Sequence, residues 1–316
     1  MRSLIVILVI AVVLSGCTGD SERADPLPQR RVLATITIIG DMVSVVGGER
    51  LEVATLLPVG VDPHIYEPRP DDVKKIARSQ MVFANGLGLE LWLEELIRNA
   101  GGARPVVYLA EPLRSVAFVE RTGAYAGHVD PHLWNNVEYA MRYVEEIVRA
   151  LSELDPDGRE SFSWNARRYQ EQLAKLDRWI LDQIQTIPPE HRKLVTSHDA
   201  FRYLCQRYGL ECLGSIWGIT TDEEPSAEKI ARLVDDLKRT RVPAVFVETS
   251  VNPRFLMQIA LDTNVKIGGT LYSDSLGPPG SPGDSYIKMM VHNVKTITEA
   301  LGGRPSDFDG GDDARD

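Results

Sequence analysis

Short apolar runs alternate with stretches of helical periodicity over the first half of the chain. Four runs rich in β-branched residues predict buried strands at residues 33–39, 51–57, 81–84 and 105–109. The spacing of apolar residues over 71–78 and 90–100 predicts helices between them. Because helices alternate with strands, the pattern predicts an α/β lobe whose parallel sheet is covered by helices on both faces.

The longest periodic stretch of the chain covers residues 157–187 and follows a shorter predicted helix over 136–154. Its apolar residues recur at steps of three or four: Phe162, Ala166, Tyr169, Leu173, Leu176, Ile180, Ile184 and Ile187. Prolines bound the stretch on both sides. At 1.5 Å per residue such a helix would be about 46 Å long. We therefore expect a rigid bridging helix that joins two lobes.

A second α/β pattern follows the bridging helix. It predicts strands at 193–196, 211–216, 242–248 and 266–272, and helices at 200–208, 226–239, 253–263 and 284–301. The expected organisation is an N-terminal lobe over 32–156, the bridging helix over 157–187 and a C-terminal lobe over 188–302. Residues 303–316 are rich in Gly and Asp without apolar periodicity, so we expect a disordered tail there.

The N-terminus has the features of a secretory signal. An apolar run over residues 4–14 is too short to span a bilayer stably, and it ends in Leu14-Ser15-Gly16-Cys17. That tetrapeptide resembles the lipobox of bacterial lipoproteins, in which the chain is cut before a cysteine that carries lipid. We expect a signal peptide over 1–16, lipidation of Cys17 and a tether over 17–31. The alternative is an ordinary signal with a chance cysteine.

Composition and charge narrow the function. Hydrophobic residues make up 43% of the chain and charged residues 25%, which excludes fibrous and wholly disordered proteins. Thirty-five Lys and Arg against 45 Asp and Glu give a net charge of -10 without a basic run, so we expect no nucleic-acid partner and a cationic ligand instead. Three cysteines without a Cys-x-x-Cys pair argue against a disulfide scaffold or a cysteine zinc site.

Candidate ligands stand at predicted strand ends. The tetrapeptide Val-Asp-Pro-His occurs twice and presents His64 and His132 from loops that proline stiffens. His64, His198 and Asp274 each follow a predicted strand, and ligands of open parallel sheets bind outside the carboxyl ends of strands. Three imidazoles and one carboxylate form a plausible closed shell for one divalent cation, whereas a catalytic zinc keeps a position open for water. The pattern therefore favours a carrier over a catalyst.

Other histidines and several acidic residues have weaker contexts. His128, His191 and His292 do not follow strands, and we expect them to be structural or exposed. Three carboxylates are candidates to support the ligands rather than to bind metal: Glu248, Asp62 and Asp130. Glu248 is also a possible ligand or a partner of a nearby arginine, and the two aspartates could simply cap turns. Cys205 and Cys212 could form a disulfide outside the cytoplasm, but their spacing leaves this open.

Several long motifs occur in order along the chain. They are Leu14-Ser15-Gly16-Cys17, PVGVDPHIYEPRPDD at 58–72, VDPHLWNN at 129–136, TSHDAFRYL at 196–204 and LYSDSLGPPGSPGDSYIKMMVHNVKTI at 271–297. With them the chain resembles, over residues 14–301, the zinc- and manganese-type solute-binding lipoproteins of bacterial ABC importers (cluster A-I). The metal ligands of that family fall at the positions of His64, His132, His198 and Asp274.

The resemblance implies two pseudo-symmetric α/β lobes, each a mostly parallel sheet flanked by helices, joined by one long rigid helix. It also implies an extracytoplasmic, lipid-anchored protein on the periplasmic or cell-surface side of a bacterial membrane. Such a protein hands its metal to a membrane permease driven by a cytoplasmic ATPase, and we expect it to be a monomer without enzymatic activity. Some relatives were first described as adhesins.

The sequence features that bear on the identity of the metal ion disagree. The segment before His132 lacks the long His-rich loop common in zinc-specialised members, whereas His198 stands where manganese-specialised members often have glutamate. Nitrogen-rich four-coordination favours Zn²⁺, and Mn²⁺ prefers more oxygen, so the prediction is Zn²⁺ or Mn²⁺ with zinc slightly ahead. The alternative functions are a metal-containing surface adhesin and an extracytoplasmic zinc hydrolase. The chain has no His-Glu-x-x-His or Gly-x-Ser-x-Gly motif for the latter.

Overall fold

The computed structural model describes residues 29–121 and 125–310 and contains two α/β lobes. The strands of the N-terminal lobe are β1 (Arg30–Ala34), β2 (Leu51–Thr55), β3 (Met81–Ala84) and β4 (Val106–Tyr108). Those of the C-terminal lobe are β5 (Lys193–Thr196), β6 (Glu211–Ser215), β7 (Ala244–Glu248) and β8 (Lys266–Leu271). The predicted fold class is confirmed.

The two sheets have the same topology. The first has the order β2-β1-β3-β4 and the second the order β6-β5-β7-β8, so each strand of one lobe has a counterpart in the other. All the paired strands are parallel. The carboxyl ends of the strands in each sheet therefore share one edge, and the loops that leave that edge can build a binding site.

Nine α-helices are present in the described parts of the chain. They are α1 (Thr37–Gly47), α2 (Pro70–Arg78), α3 (Leu93–Ala100), α4 (Val137–Leu154), α5 (Arg159–Gln185), α6 (Arg202–Tyr208), α7 (Ala227–Thr240), α8 (Arg254–Thr263) and α9 (Tyr286–Ala300). Apart from α1, they lie within a few residues of the predicted helices, the usual scatter for helix ends.

Helix α5 is the predicted bridging helix. Its 27 residues span about 40 Å, and the apolar stripe from Phe162 to Ile184 is buried as its spacing predicts. It packs against α1 and α4 on the N-terminal side and against α6 and α9 on the C-terminal side. One continuous hydrophobic core therefore runs from the first sheet along α5 into the second lobe. Burial of each large side chain of this stripe stabilises the fold by about 1.5–3 kcal/mol. The helix is therefore a rigid connection between the lobes and not a flexible linker.

The predicted strand over residues 33–39 is wrong beyond Ala34. The chain leaves the sheet there and enters α1, a helix that the sequence analysis missed. Nine of the eleven residues of α1 are buried, so the helix has almost no polar face to reveal its period. Short apolar β-branched runs cannot be assigned to strand or helix by periodicity alone, and here tertiary packing decides.

The C-terminal segment differs from the disordered tail that we expected. Residues 303–310 lie along α5, where the Ser306 backbone N–H donates to Oε1 of Gln183 at 2.7 Å. The ring of Phe308 packs edge-on against Trp179, with ring centroids 5.6 Å apart. One aromatic side chain and a few backbone hydrogen bonds thus order a segment whose composition alone favours disorder. Residues 311–316 lie outside the described residues.

The predicted signal peptide and the lipidation site Cys17 also lie outside the described residues, since the description starts at residue 29. Within residues 29–121 and 125–310, none of the helices has the length and apolar character needed to cross a membrane.

Candidate metal centre

Four side chains converge between the lobes, two from each. His64 lies in the loop that follows β2, and His132 lies in the turn that leads into α4. His198 comes two residues after β5 ends, and Asp274 three residues after β8 ends. We call these four residues the ligand cluster.

The ligand atoms of the cluster are close enough to share one ion. The Nε2 atom of His132 lies 3.2 Å from Nε2 of His64 and 3.3 Å from Nε2 of His198. Asp274 faces both buried rings, with Oδ1 3.4 Å from Nε2 of His132 and Oδ2 3.3 Å from Nε2 of His198. One ligand atom from each of the four residues lies within 4.8 Å of all the others. The sequence analysis predicted these four residues, and the structure brings them together.

The ligand cluster is largely buried, and one of its carboxylate oxygens lacks a hydrogen-bond donor within the described parts of the chain. His132 and His198 are fully buried, Asp274 is 1% exposed and His64 is partly exposed. The Oδ1 atom of Asp274 is buried and accepts no hydrogen bond from the described residues. This oxygen has lost its water without gaining a hydrogen-bond donor, so it is available to bind a cation. Three imidazole nitrogens around that oxygen fit a divalent transition metal.

Two carboxylates fix the orientation of the buried imidazoles. Asp130 Oδ1 lies 2.8 Å from Nδ1 of His132 and also accepts a hydrogen bond from the His132 backbone N–H at 3.0 Å. Glu248, the last residue of β7, places Oε2 2.5 Å from Nδ1 of His198 and accepts from the His198 backbone N–H through Oε1 at 2.7 Å. A carboxylate at Nδ1 keeps that nitrogen protonated and leaves the Nε2 lone pair for metal.

Asp62 supports the site in a different way. Its Oδ1 accepts a hydrogen bond from the backbone N–H of His64 at 2.9 Å, so it caps the turn rather than binding the imidazole ring. Its Oδ2 accepts from the hydroxyl of Thr221 at 2.6 Å, and Thr221 belongs to the other lobe. Sequence reasoning missed Thr221, because it lies in a loop beyond β6 without any motif.

The segments that carry His132 and Asp274 are joined directly. The indole N–H of Trp134, two residues after His132, donates to the carbonyl of Ser273 at 2.9 Å. The hydroxyl of Tyr286 donates to the carbonyl of Trp134 at 2.6 Å. Trp134 and Tyr286 are both fully buried. The relative position of the lobes at the ligand cluster is therefore held by packed aromatic side chains as well as by α5.

The charges of the ligand cluster are coupled. Burial lowers the pKa of the His132 ring, but the neighbouring carboxylates of Asp130 and Asp274 outweigh it and raise this pKa to about 9. Burial also lowers the pKa of His198, and the charges of Glu248 and Asp274 raise it to about 10. For Asp274, burial opposes ionisation but the neighbouring histidines hold its pKa well below the usual range.

His64 differs from the other two histidines. Burial, together with the nearby histidine rings, lowers its pKa to about 3, against a smaller opposing effect of Asp274. The His64 ring is therefore neutral at pH 7, with a lone pair available for metal.

The three histidines that we expected to be structural lie away from the ligand cluster. Nδ1 of His128 lies 3.0 Å from the carbonyl of Tyr125, and Nδ1 of His191 lies 3.2 Å from the carbonyl of Leu301. His292 is on α9, with Nε2 3.0 Å from the carbonyl of Thr270. Each ring is thus paired with a backbone carbonyl.

Cys205 and Cys212 form a disulfide, with their Cα atoms 6.0 Å apart. The bridge connects α6 to β6, next to the segment that carries His198. The sequence left this pairing open, since the six residues between the cysteines do not determine the geometry.

Two α/β lobes joined by one long helix, each giving half of a buried cation site, define a metal-binding solute-binding protein. The family described as "ZnuA: Zinc-uptake complex component A periplasmic" matches residues 32–300. The chain belongs to this family of metal solute-binding lipoproteins of ABC importers.

Curated relatives and solved structures agree with this assignment. The manganese-binding lipoprotein MntA of Halalkalibacterium halodurans is 39% identical over 300 residues, covering 94% of this chain and 97% of the relative. The manganese ABC transporter substrate-binding lipoprotein PsaA of Streptococcus mitis is 35% identical over 306 residues, covering 95% and 98%. The periplasmic zinc-binding protein TroA from Treponema pallidum superposes with a TM-score of 0.81 at 31% identity, covering 86% of this chain and 99% of TroA.

A further structural relative is the Mn-bound periplasmic metal-binding protein from Candidatus Liberibacter asiaticus. It has a TM-score of 0.77 at 26% identity and covers 86% of this chain and 100% of that protein. The predicted family, the extracytoplasmic membrane-anchored location and the transport function are confirmed. Membership of a family of transport components, which are not enzymes, decides against the zinc hydrolase.

Proposed function

We propose that this protein captures a single Zn²⁺ or Mn²⁺ ion through His64, His132, His198 and Asp274 and delivers it to the permease of an ABC importer. The observation that carries the proposal is the convergence of four ligand atoms, two from each lobe, within 4.8 Å of one another. A site that is divided between two lobes opens when the lobes move apart, so the cargo can be released without unfolding.

The enclosure of the site supports transport of the ion rather than catalysis. Four protein ligands fill a tetrahedral shell, and two of the three histidines are fully buried. A catalytic zinc site would instead keep one position open for water or substrate. In this proposal the metal ion is therefore the cargo.

The donor set accommodates both ions. Three imidazole nitrogens favour Zn²⁺ by the general affinity order of divalent metals. Both oxygens of Asp274 face ligand nitrogens, so bidentate binding would raise the coordination number to five, which suits Mn²⁺ better. We expect zinc to bind more tightly in vitro and the cargo in the cell to depend on metal availability.

Delivery of the ion also requires a membrane anchor and a permease partner. Cys17 carries the lipid, and the residues between Cys17 and β1 tether the folded body to the bilayer. The protein works as a monomer that docks on a membrane permease powered by a cytoplasmic ATPase. The relatives' printed descriptions as ABC transporter substrate-binding lipoproteins support both interactions.

Calorimetric titration of the metal-stripped chain from Thr18 onwards tests the capture step. We expect one Zn²⁺ per chain, reversible on addition of a chelator while the protein stays folded, and loss of binding in His198→Ala. The matched control is His292→Ala, which removes a partly buried imidazole of α9 that is not in the ligand cluster and should leave affinity unchanged. Equal binding by wild type and His198→Ala would overturn the proposed site.

A further inference from the structure

The loop that follows β3 contacts the segment that carries His64. We define residues 85–92 as the β3 loop; none of them belongs to the ligand cluster. The indole N–H of Trp92, at the end of this loop, donates to the carbonyl of Pro63 at 2.9 Å. Pro63 directly precedes His64, so this hydrogen bond fixes the backbone from which the imidazole projects.

The same loop holds the second N-lobe ligand in the same way. The side-chain N–H of Asn85 donates to the carbonyl of Pro131 at 3.0 Å, and Pro131 directly precedes His132. The Asn85 Oδ1 atom accepts a hydrogen bond from the hydroxyl of Tyr143 at 2.6 Å, which fixes the amide orientation. Asn85 and Tyr143 are both fully buried. Each copy of Val-Asp-Pro-His is therefore held at its proline carbonyl by one N–H group of one loop.

A buried carboxylate shapes the β3 loop. Glu90 is 7% exposed. Its Oε1 accepts hydrogen bonds from the backbone N–H of Asn85 at 2.8 Å and from the hydroxyl of Thr35 at 2.7 Å. Its Oε2 accepts from the backbone N–H of Gly86 at 3.0 Å. The loop is thus folded around a carboxylate whose two oxygens are hydrogen-bonded to protein groups.

The backbone of the β3 loop is held in an uncommon conformation. Gly86, Leu87 and Gly88 have φ angles of 84°, 55° and 90°. A leucine adopts the left-handed region only where its surroundings enforce it. The loop is consequently rigid, as an element that positions other residues must be.

We propose that the β3 loop pre-forms the N-lobe half of the metal site, with Trp92 and Asn85 as positioning residues for His64 and His132. This rests on the proposed function. Because one rigid loop already holds both ligands in place, they lose less conformational entropy when the metal binds. Removal of either N–H donor should therefore weaken metal binding without removing a ligand.

Trp92→Phe tests the proposal, because it removes the indole N–H and keeps an aromatic ring against Tyr66, whose centroid lies 5.2 Å from that of Trp92. We expect Zn²⁺ affinity to fall about 3- to 10-fold, the range of one net hydrogen bond. The Co²⁺ absorption spectrum should also change, which a loss of global stability alone would not cause. The control Trp164→Phe makes the same exchange at a half-exposed site on α5 and should change neither readout.

A second variant keeps the test independent of one side chain. Asn85→Asp retains the acceptor for Tyr143 and removes the N–H donors, and it should weaken Zn²⁺ binding at least as much as Trp92→Phe. Affinities are compared at 25 °C for variants that near-UV circular dichroism shows to be folded. Unchanged affinity and Co²⁺ spectrum in Trp92→Phe would overturn this inference alone, whereas wild-type protein that binds neither ion would overturn the proposed function itself.

Discussion

The Nδ1 atom of His198 lies 2.5 Å from Oε2 of Glu248, and the other oxygen of the same carboxylate accepts the His198 backbone N–H at 2.7 Å. One carboxylate thus fixes both the backbone and the imidazole of a proposed metal ligand. Because Nδ1 faces this carboxylate, Nε2 points into the ligand cluster, where it can bind a metal ion once its proton has left.

Replacement of Glu248 should therefore weaken metal binding although Glu248 is not a proposed ligand. For Glu248→Gln we expect Zn²⁺ affinity to fall about 10- to 100-fold, the usual effect of removing the partner of a ligating histidine. Competition with a fluorescent chelator measures the change. Glu145→Gln, on the exposed face of α4, is the matched control. An affinity of Glu248→Gln within twofold of the control would show that the contact with His198 has no role in binding.

Removal of the cluster's carboxylate should have a larger effect. In Asp274→Asn the shape is kept but the negative charge between His132 and His198 is lost. Loss of a residue that supports a ligand lowers affinity by about 10- to 100-fold. We predict that Asp274→Asn lowers Zn²⁺ affinity by more than this. Titration calorimetry on the metal-stripped variant measures it. If Asp274→Asn binds as tightly as wild type, Asp274 is not a ligand.

Metal binding should release protons. The raised pKa values of His132, about 9, and His198, about 10, mean that both rings are protonated at pH 7 in the metal-free protein. Metal requires neutral imidazole, so we expect about two protons to leave per ion and the affinity to rise as pH increases from 6 to 9. Calorimetry in buffers of different ionisation enthalpy counts the protons. A heat of binding that is independent of the buffer would contradict this prediction.

The hydroxyl of Thr221 should slow metal release. It donates to Asp62 at 2.6 Å and so ties the loop beyond β6 to the turn that carries His64. We predict that Thr221→Val accelerates metal dissociation about 3- to 10-fold, because one interlobe hydrogen bond is lost. Stopped-flow transfer of Zn²⁺ to a chelator gives the rate. Thr240→Val at the end of α7 is the control, and equal rates for both variants would rule out an interlobe role for Thr221.

The disulfide should contribute to the stability of the fold. Reduction of Cys205–Cys212 opens a short loop, for which loop entropy gives a loss of about 2.5 kcal/mol in the free energy of unfolding. Urea unfolding of the metal-free protein with and without reductant measures this loss. The double variant Cys205→Ser, Cys212→Ser should be insensitive to reductant. Unfolding midpoints that do not respond to reductant in wild type would contradict the prediction.

Much of the fold could be predicted from the sequence because its elements have distinct periods. The stripe on α5 from Phe162 to Ile184 shows its helical period over about six turns, and proline marks its end. Helix α1 could not be predicted in this way, since burial on nearly all sides removes the polar positions that reveal a period.

The candidate site was predictable to a similar extent. Residues that follow strands in stiff Asp-Pro-His loops stand out in the sequence, and so do their carboxylate partners. The roles of Thr221 and Trp92 could not be predicted, because a hydrogen bond to a backbone carbonyl or across the lobes depends on tertiary position and leaves no local pattern. Likewise, residues 303–310 have a defined conformation because Phe308 packs against α5, which the sequence alone does not reveal.

Anomalous diffraction from crystals of the zinc-loaded protein shows directly whether the ligand cluster holds the ion. We predict a single zinc peak between the lobes, at about 2.0–2.2 Å from Nε2 of His64, His132 and His198 and from an oxygen of Asp274. Crystals loaded with Mn²⁺ should give a peak at the same position. A peak elsewhere in the molecule, or no zinc peak between the lobes in protein that binds the ion in solution, would contradict the account.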